Sequence, residues 1–136
     1  MNEISNEGDI LLADAINANT SLTSLNLNCN NPRETSGEVL ALALCINRTL
    51  TSLHLNTNNI LYKGKIAFAK MLNVNETLIY LDLSSNYFDK RIGDALGKAL
   101  YKNTTLTSLN FYDNLLGNDR TKEIANALCK TIFLAI

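Results

Sequence analysis

A phrase of leucines closed by an asparagine occurs four times along the chain, at a constant spacing of 28 residues. It reads LTSLNLNCN from Leu22, LTSLHLNTN from Leu50, LIYLDLSSN from Leu78 and LTSLNFYDN from Leu106. The shared frame is L-x-x-L-x-L-x-x-N, and self-similarity at a fixed period of this length is typical of stacked repeats. The pattern therefore predicts a repeat protein.

Each repeat contains a strand-like half and a helix-like half. Leu53 and Leu55 alternate with polar residues, and this period of two predicts a short strand with its leucines facing inward. Leu40 and Leu44 have the i, i+4 spacing of one face of a helix. The same spacing occurs in Leu12 and Ile16, Phe68 and Leu72, Leu96 and Leu100, and Ile124 and Leu128. One coil is thus predicted to consist of a strand, a turn and a helix.

The stacking of such coils predicts the fold class, which is a right-handed α/β solenoid in a single domain over residues 1–136. Parallel strands pack about 4.8 Å apart whereas helices need about 10 Å, so the sheet should line a concave face and the helices a convex face. Leu134 stands 28 residues after Leu106, which predicts about four and a half repeats. No polar capping repeat covers Phe133, Leu134 and Ile136, so we expect end-to-end self-association or a longer parent protein.

The asparagine that closes each phrase falls where the chain turns away from its strand. Its side-chain amide can donate and accept at once, so it can satisfy backbone groups of its own coil and of the adjacent coil. We expect a structural asparagine ladder of Asn30, Asn58, Asn86 and Asn114.

The period and the motif L-x-x-L-x-L-x-x-N-x-I-x-x-x-G, seen from Leu50 to Gly64, resemble leucine-rich repeats of the ribonuclease-inhibitor type. That type is also found in NOD-like receptors, tropomodulin and the Ran GTPase-activating protein. The resemblance covers residues 8–136 and implies a binding scaffold, but such scaffolds host many different partners.

Composition and charge narrow the class of partner. The net charge is −1 and lysines and arginines form no run, which argues against nucleic acid and anionic lipid. No segment approaches the roughly 20 apolar residues of a membrane span, and the start MNEISNEGD is unlike a secretory signal. We therefore expect a cytoplasmic protein with no membrane partner and no cofactor.

Four asparagines form sequons that share one column of the repeat. Each lies just past the end of a predicted helix, where asparagine tolerates the left-handed conformation of a helix stop. The structural interpretation is favoured over glycosylation for Asn19, Asn47, Asn75 and Asn103.

The three cysteines are interpreted as free thiols. Cys45 and Cys129 occupy one helical column three coils apart, too far for a disulfide, and Cys29 lies at a strand end. His54 has no cysteine nearby except Cys29 one coil away, so no metal site is predicted.

Catalysis is also not predicted. His54 and Asp82 occupy the same outward position on adjacent strands, with Ser52 and Ser84 nearby, but an open sheet provides no oxyanion donors and does not exclude water. We expect a solvated His54 and Asp82 pair that belongs to a binding surface.

The outward strand positions carry different side chains in the two halves of the sheet. Coils one and two present mostly serine and asparagine, whereas coils three and four present tyrosines and carboxylates. Tyrosine is enriched in interface hot spots, but it also has good strand propensity, so these tyrosines indicate either a binding surface or an ordinary solvated sheet. If a partner binds the sheet, we expect the third and fourth coils to contribute most of the binding energy. The candidate protein-binding residues are Tyr80, Asp82, Tyr112, Asp113, Tyr87, His54 and Asn110.

Together these features predict a non-catalytic module that binds a partner protein through its concave sheet. One alternative is a GTPase-activating accessory protein resembling the Ran activator, which would require dedicated loop residues. Arg33, Arg91 and Arg120 lie on predicted loops but at unequal offsets. A second alternative is a structural repeat piece of a larger receptor or effector.

Overall fold

Strands and helices alternate along the chain as the sequence predicts. The computed structural model describes residues 6–30, 35–117, 124 and 133–135. In these ranges the elements are α1 (Asn6–Ala18), β1 (Ser24–Asn26), α2 (Ser36–Ile46), β2 (Ser52–His54), α3 (Tyr62–Leu72), β3 (Tyr80–Asp82), α4 (Lys90–Lys102), β4 (Ser108–Asn110) and β5 (Phe133–Ala135).

The strands form one parallel sheet in the order β1-β2-β3-β4-β5. The pairing of Leu25 with Leu53, Leu81 and Leu109 follows the 28-residue period strand by strand, which confirms the predicted solenoid. Each strand is short because only its central residue faces the core, and the chain turns away after three residues.

The last strand departs from the predicted register. Leu134 pairs with Leu109 and not with the Leu106 column, so the final coil is shorter than the other coils. The expectation that Leu134 repeats Leu106 is therefore wrong. Leucines face inward at both columns, so the spacing alone did not distinguish the two alignments. The side chains of Phe133 and Leu134, together with Ile136, lie outside the described part of the structure.

The core lies between the sheet and the helices. Leu50, Leu78 and Leu106, which share one column of the repeat, are each 1% exposed. Leu22, in the same column of the first coil, is 36% exposed. The inward helix positions, among them Leu44 and Leu100, complete the layer. Within the described ranges, no helix combines the length and apolar character needed to cross a bilayer.

The predicted asparagine ladder joins each turn to its neighbours. The Asn86 amide donates to the backbone oxygen of Leu55 at 2.7 Å, and its Oδ1 accepts from the amides of Asn58 and Ile60 at 3.1 and 3.3 Å. Asn58 and Asn114 make the same 31-residue contact to Leu27 and Leu83, respectively. These bonds satisfy backbone groups that the tight turns would otherwise leave buried and unpaired.

A second ladder is formed by the sequon asparagines at the opposite end of the strands. In this ladder the amides of Asn47, Asn75 and Asn103 donate to the carbonyls of Ile16, Leu44 and Leu72, respectively. Their Oδ1 atoms accept from the backbone amides two and three residues later.

The conformation of these sequon asparagines differs from the predicted one. Asn47 and Asn103 have φ values of −57° and −68°, so the expected left-handed helix stop is wrong. The side chain closes the turn by itself, and the backbone therefore does not need to reverse. Asn47, Asn75 and Asn103 are buried, whereas Asn19 of the first coil is exposed. Burial of the amide nitrogen supports the structural interpretation for those three.

Two glycines set the distance between α2 and α3. A Cβ on Gly64 would lie 3.0 Å from the Cα of Gly37 and 2.9 Å from the Ile60 Cγ2. The two helix starts therefore touch through their backbones, which only glycine permits at this separation.

Candidate protein-binding surface

The middle of the sheet carries a stacked pair of rings. The centroids of His54 and Tyr80 lie 4.8 Å apart with an interplanar angle of 37°. The Oγ atom of Ser52 lies 3.2 Å from the Nε2 atom of His54. Burial, and secondarily the charge of Asp82, raise the pKa of the Tyr80 hydroxyl above its ordinary value. Tyr80 is half-buried in the free protein.

The Asp82 carboxylate is used by its own turn. It accepts hydrogen bonds from the Ser84 amide at 2.9 Å and from the Ser84 hydroxyl at 2.6 Å, and the residue is 8% exposed. Asn110 closes the next turn in the same way, by accepting from the amide of Tyr112 at 3.2 Å. The expected solvated pair of His54 and Asp82 is therefore not formed, although the register does place the two residues opposite each other.

A polar chain connects three coils at the exit end of the strands. The backbone N–H of Asn56 donates to the Asn28 Oδ1 at 2.7 Å. The side-chain amide of Asn56 donates in turn to the Ser84 hydroxyl at 2.7 Å. These contacts hold the side chains of Asn28, Asn56 and Ser84 in place in the free protein.

The most exposed predicted residues lie at the loops that follow β3 and β4. Tyr112 is 64% exposed and Tyr87 is 58% exposed. Asp113 is also exposed, and its carboxylate accepts from the Ser85 hydroxyl at 3.0 Å. Leu115, in the same column as Tyr87, is 63% exposed and was not predicted. Its neighbour Leu116 takes the buried position, so the adjacent leucines carried a signal that one of them faces solvent.

We define the loop-edge surface as Tyr87, Tyr112, Asp113 and Leu115. The two turns that carry it are joined by a hydrogen bond from the Leu115 amide to the carbonyl of Phe88 at 2.7 Å. Large side chains at this level of exposure contribute little to the folded core, so they are available for contact with another molecule.

An ion pair lies at the N-terminus of α4. Arg91 binds the Asp89 carboxylate through Nε and Nη2, with the shortest contact at 2.6 Å, and its guanidinium carbon lies 5.0 Å from the Tyr62 ring centroid. The hydrogen bond from Arg91 lowers the pKa of Asp89. Arg91 therefore lies in the first turn of α4 and not on the predicted loop, and it is engaged with the residue that caps the helix. Arg33 and Arg120 lie outside the described residues.

The groups that the sequence offers for catalysis or metal binding can be followed only in the described ranges. Ser52 and His54 are within hydrogen-bond distance, but the hydrogen bonds of Asp82 described above go to Ser84 and not to the imidazole. In the part of the chain that the structure describes, no three histidine, cysteine or acidic side chains form a metal-binding group. Cys29 and Cys45 are free thiols, and Cys129 lies outside this part.

Comparison with known proteins agrees with the coil geometry. Family models described as Leucine Rich Repeat match residues 18–31, 47–69 and 77–99. No curated protein sequence matched the chain.

Solved structures share the whole fold. The actin-binding site 2 of leiomodin-1 matches with a TM-score of 0.82 and 23% identity, over 97% of this chain and 80% of that one. The tropomodulin C-terminal domain from Caenorhabditis elegans matches with a TM-score of 0.76 and 15% identity, over 96% of this chain and 82% of that one. The repeating coil, its two asparagine ladders and these matches show that the chain has the leucine-rich-repeat fold of the ribonuclease-inhibitor-like type.

Proposed function

We propose that this protein is a non-catalytic interaction module that binds a partner protein through the sheet face and its loop edge in coils three and four. The observation that carries this proposal is the 64% exposure of Tyr112 beside the ordered polar side chains of the sheet. An exposed aromatic ring on a rigid element supplies a large contact area at a low entropic cost. His54 and Tyr80 extend the same surface toward the second coil.

The polar neighbours of Tyr112 support this assignment because they are already in place. Asn110 is fixed by the turn that it closes, and Asn56 is fixed by Asn28 and Ser84. A surface whose side chains are ordered in the free protein loses little conformational entropy on binding. A partner therefore gains the full benefit of burying the tyrosine.

The GTPase-activating alternative receives less support from the loop chemistry. An arginine that stabilises transition-state charge must be free to reach the substrate. Arg91 instead donates to the Asp89 carboxylate through Nε and Nη2, and its guanidinium group lies over the Tyr62 ring. Stimulation of GTP hydrolysis by a Ran-type GTPase in the presence of this chain would revive the alternative.

Actin is the first candidate partner that we propose, and a cytoplasmic setting follows from it. The fold similarity to a leiomodin-1 actin-binding site supports actin among the many proteins that such scaffolds bind. The identity of 23% means that the choice rests on shape alone.

The test is a direct binding measurement between the purified chain and fluorescently labelled monomeric actin, followed by cosedimentation with filaments. We expect saturable binding that is lost in the double variant Tyr80→Ala and Tyr112→Ala, with the fold retained by circular dichroism. Saturable binding that the double variant retains would contradict the proposed surface. A lack of binding to both forms of actin would contradict actin as the partner.

A further inference from the structure

Tyr87 has a backbone conformation that is unfavourable for its side chain. Its φ of 56° lies in the left-handed region, where a bulky L-residue is an outlier. Its ring is 58% exposed, so burial of the ring does not compensate for the backbone strain. Residues held in such conformations persist only where the surrounding structure enforces them, and they cluster at functional sites.

The preceding coil shows what this position requires. Asn59, 28 residues earlier, has nearly the same conformation with a φ of 48°. Asparagine tolerates this region, because its short polar side chain forms local hydrogen bonds. The turn itself therefore needs a left-handed residue, and tyrosine meets that need less well than the asparagine of the neighbouring coil.

A buried lysine holds the Tyr87 turn from below. The Lys65 ammonium group, on α3, donates a hydrogen bond of 2.6 Å to the carbonyl of Tyr87. Lys65 is 8% exposed, and its Nζ lies 5.5 Å from the centroid of the buried Phe88 ring. Burial lowers the pKa of Lys65, so the protein keeps this group in an environment that disfavours its charge.

The residues that follow Tyr87 are anchored as well. The Phe88 amide donates to the Asn114 Oδ1 at 2.9 Å, and the Phe88 carbonyl accepts from the Leu115 amide. With the carbonyl of Tyr87 also bound, the backbone of the turn is fixed on both sides while the ring remains outside.

We propose that Tyr87 is a dedicated partner-contact residue, displayed at the expense of stability, and that Lys65 is the positioning residue that fixes its turn. The inference rests on the proposed function and adds to it a separate role for each of these two residues. Lys65 binds the backbone and Tyr87 supplies the ring. The partner group that fits is an apolar or aromatic side chain of a protein, since Tyr87 and the exposed Leu115 occupy the same column of adjacent coils in the loop-edge surface.

The experiment compares four variants in urea unfolding, amide hydrogen exchange and binding to labelled actin. Tyr87→Asn relieves the strain and removes the ring. Thr57→Asn is its matched control, because Thr57 is also exposed and left-handed, with a φ of 55°, but lies outside the loop-edge surface. Lys65→Met removes the ammonium group and retains the stem, and Lys63→Met repeats this change at an exposed position of the same helix.

We expect Tyr87→Asn and Thr57→Asn each to raise the ratio of folded to unfolded protein about threefold. Only Tyr87→Asn should weaken actin binding, by about tenfold or more. Lys65→Met, but not Lys63→Met, should speed exchange at the amides of Phe88 and Leu115 and weaken binding.

Several results would overturn the inference. If Tyr87→Asn is less stable than the natural protein, the ring supports the fold and is not displayed at a cost. If it binds actin unchanged, Tyr87 is not a contact. If Lys65→Met leaves hydrogen exchange at the amides of Phe88 and Leu115 unchanged, Lys65 is not a positioning residue. If the natural chain does not bind actin but Tyr87→Asn is more stable, only actin as the partner is contradicted. The gain in stability would still support the strained backbone at Tyr87.

Discussion

The side-chain amide of Asn86 donates to the backbone oxygen of Leu55 at 2.7 Å, so a residue of the third coil holds the turn of the second. Asn86 is 0% exposed and also accepts from the amides of Asn58 and Ile60. Its removal would leave several buried backbone groups without partners, and each such group costs about 1–3 kcal/mol.

We therefore predict that Asn86→Ala lowers the free energy of unfolding by about 3 kcal/mol or more. Asn30 is the matched control because it donates to the carbonyls of Leu27 and Asn28 within its own turn. Asn30→Ala should cost about 1 kcal/mol. Urea unfolding followed by circular dichroism gives both values, and equal losses would show that the contact between coils contributes nothing extra.

The close contact between α2 and α3 predicts the effect of Gly64→Ala. Alanine favours a helix over glycine by about 1 kcal/mol, but the added Cβ would lie 3.0 Å from the backbone of Gly37. Overpacking against backbone costs about 1–3 kcal/mol, so the variant should be less stable on balance. Lys63→Ala, at an exposed position of α3, should change stability by less than about 0.5 kcal/mol. A more stable Gly64→Ala would mean that the helices can separate freely.

Lys65 predicts a defined pH dependence. Burial lowers its folded-state pKa below the ordinary 10.5, so between these two values the unfolded chain binds more protons. Stability from this group therefore rises as pH increases through the lowered pKa toward 10.5. The raised pKa of Tyr80 acts in the opposite direction above 10.0, where the unfolded chain loses its proton first.

The difference in unfolding free energy between the natural chain and Lys65→Met isolates the lysine, because Tyr80 is common to both. We predict that this difference shifts in favour of the natural chain as the pH rises through the lowered pKa of Lys65 toward 10.5. Urea unfolding across this range measures it. A shift toward the variant would mean that the ammonium form is the one that the fold stabilises.

The thiols should react at different rates. Cys29 is exposed, whereas Cys45 is half-buried and burial raises its pKa, an effect that Arg48 partly offsets. Since the thiolate is the reactive form, a thiol-reactive dye should label Cys29 before Cys45 in the folded protein. Denatured, non-reduced protein should titrate all three cysteines. Peptide mapping of timed samples checks the order, and the reverse order would contradict the burial of Cys45.

The repeating part of the fold was predictable because stacking imposes the same requirement on every coil. Leu53 and Leu81 must fill the same space, so they share a column that the sequence displays directly. The ladder of Asn58 and Asn86 was predictable for the same reason. Leu134 was placed in the wrong column because a leucine fits the inward side at either alignment.

The candidate site was only partly predictable, because outward residues have more than one use. Asp82 has the spacing of a solvent-facing residue, yet its carboxylate closes a turn through Ser84, and sequence alone does not distinguish the two. The sequon residue Asn75 likewise closes a turn through its side chain and not through its backbone. Lys65 binds the carbonyl of Tyr87, which lies 22 residues later in the chain. Because this separation differs from the repeat period, the repeat pattern did not predict the contact.

The most direct test of the proposed binding surface is titration calorimetry with actin and single variants of this chain. Tyr112→Ala should weaken binding by about thirtyfold, which corresponds to about 2 kcal/mol. Ser24→Ala, at an exposed position of β1, should change the free energy of binding by less than about 1 kcal/mol. Neither should alter stability appreciably, because both side chains are exposed in the free protein. If the two variants bind the partner with equal affinity, the proposed surface is contradicted and the binding site lies away from the tyrosine-bearing coils.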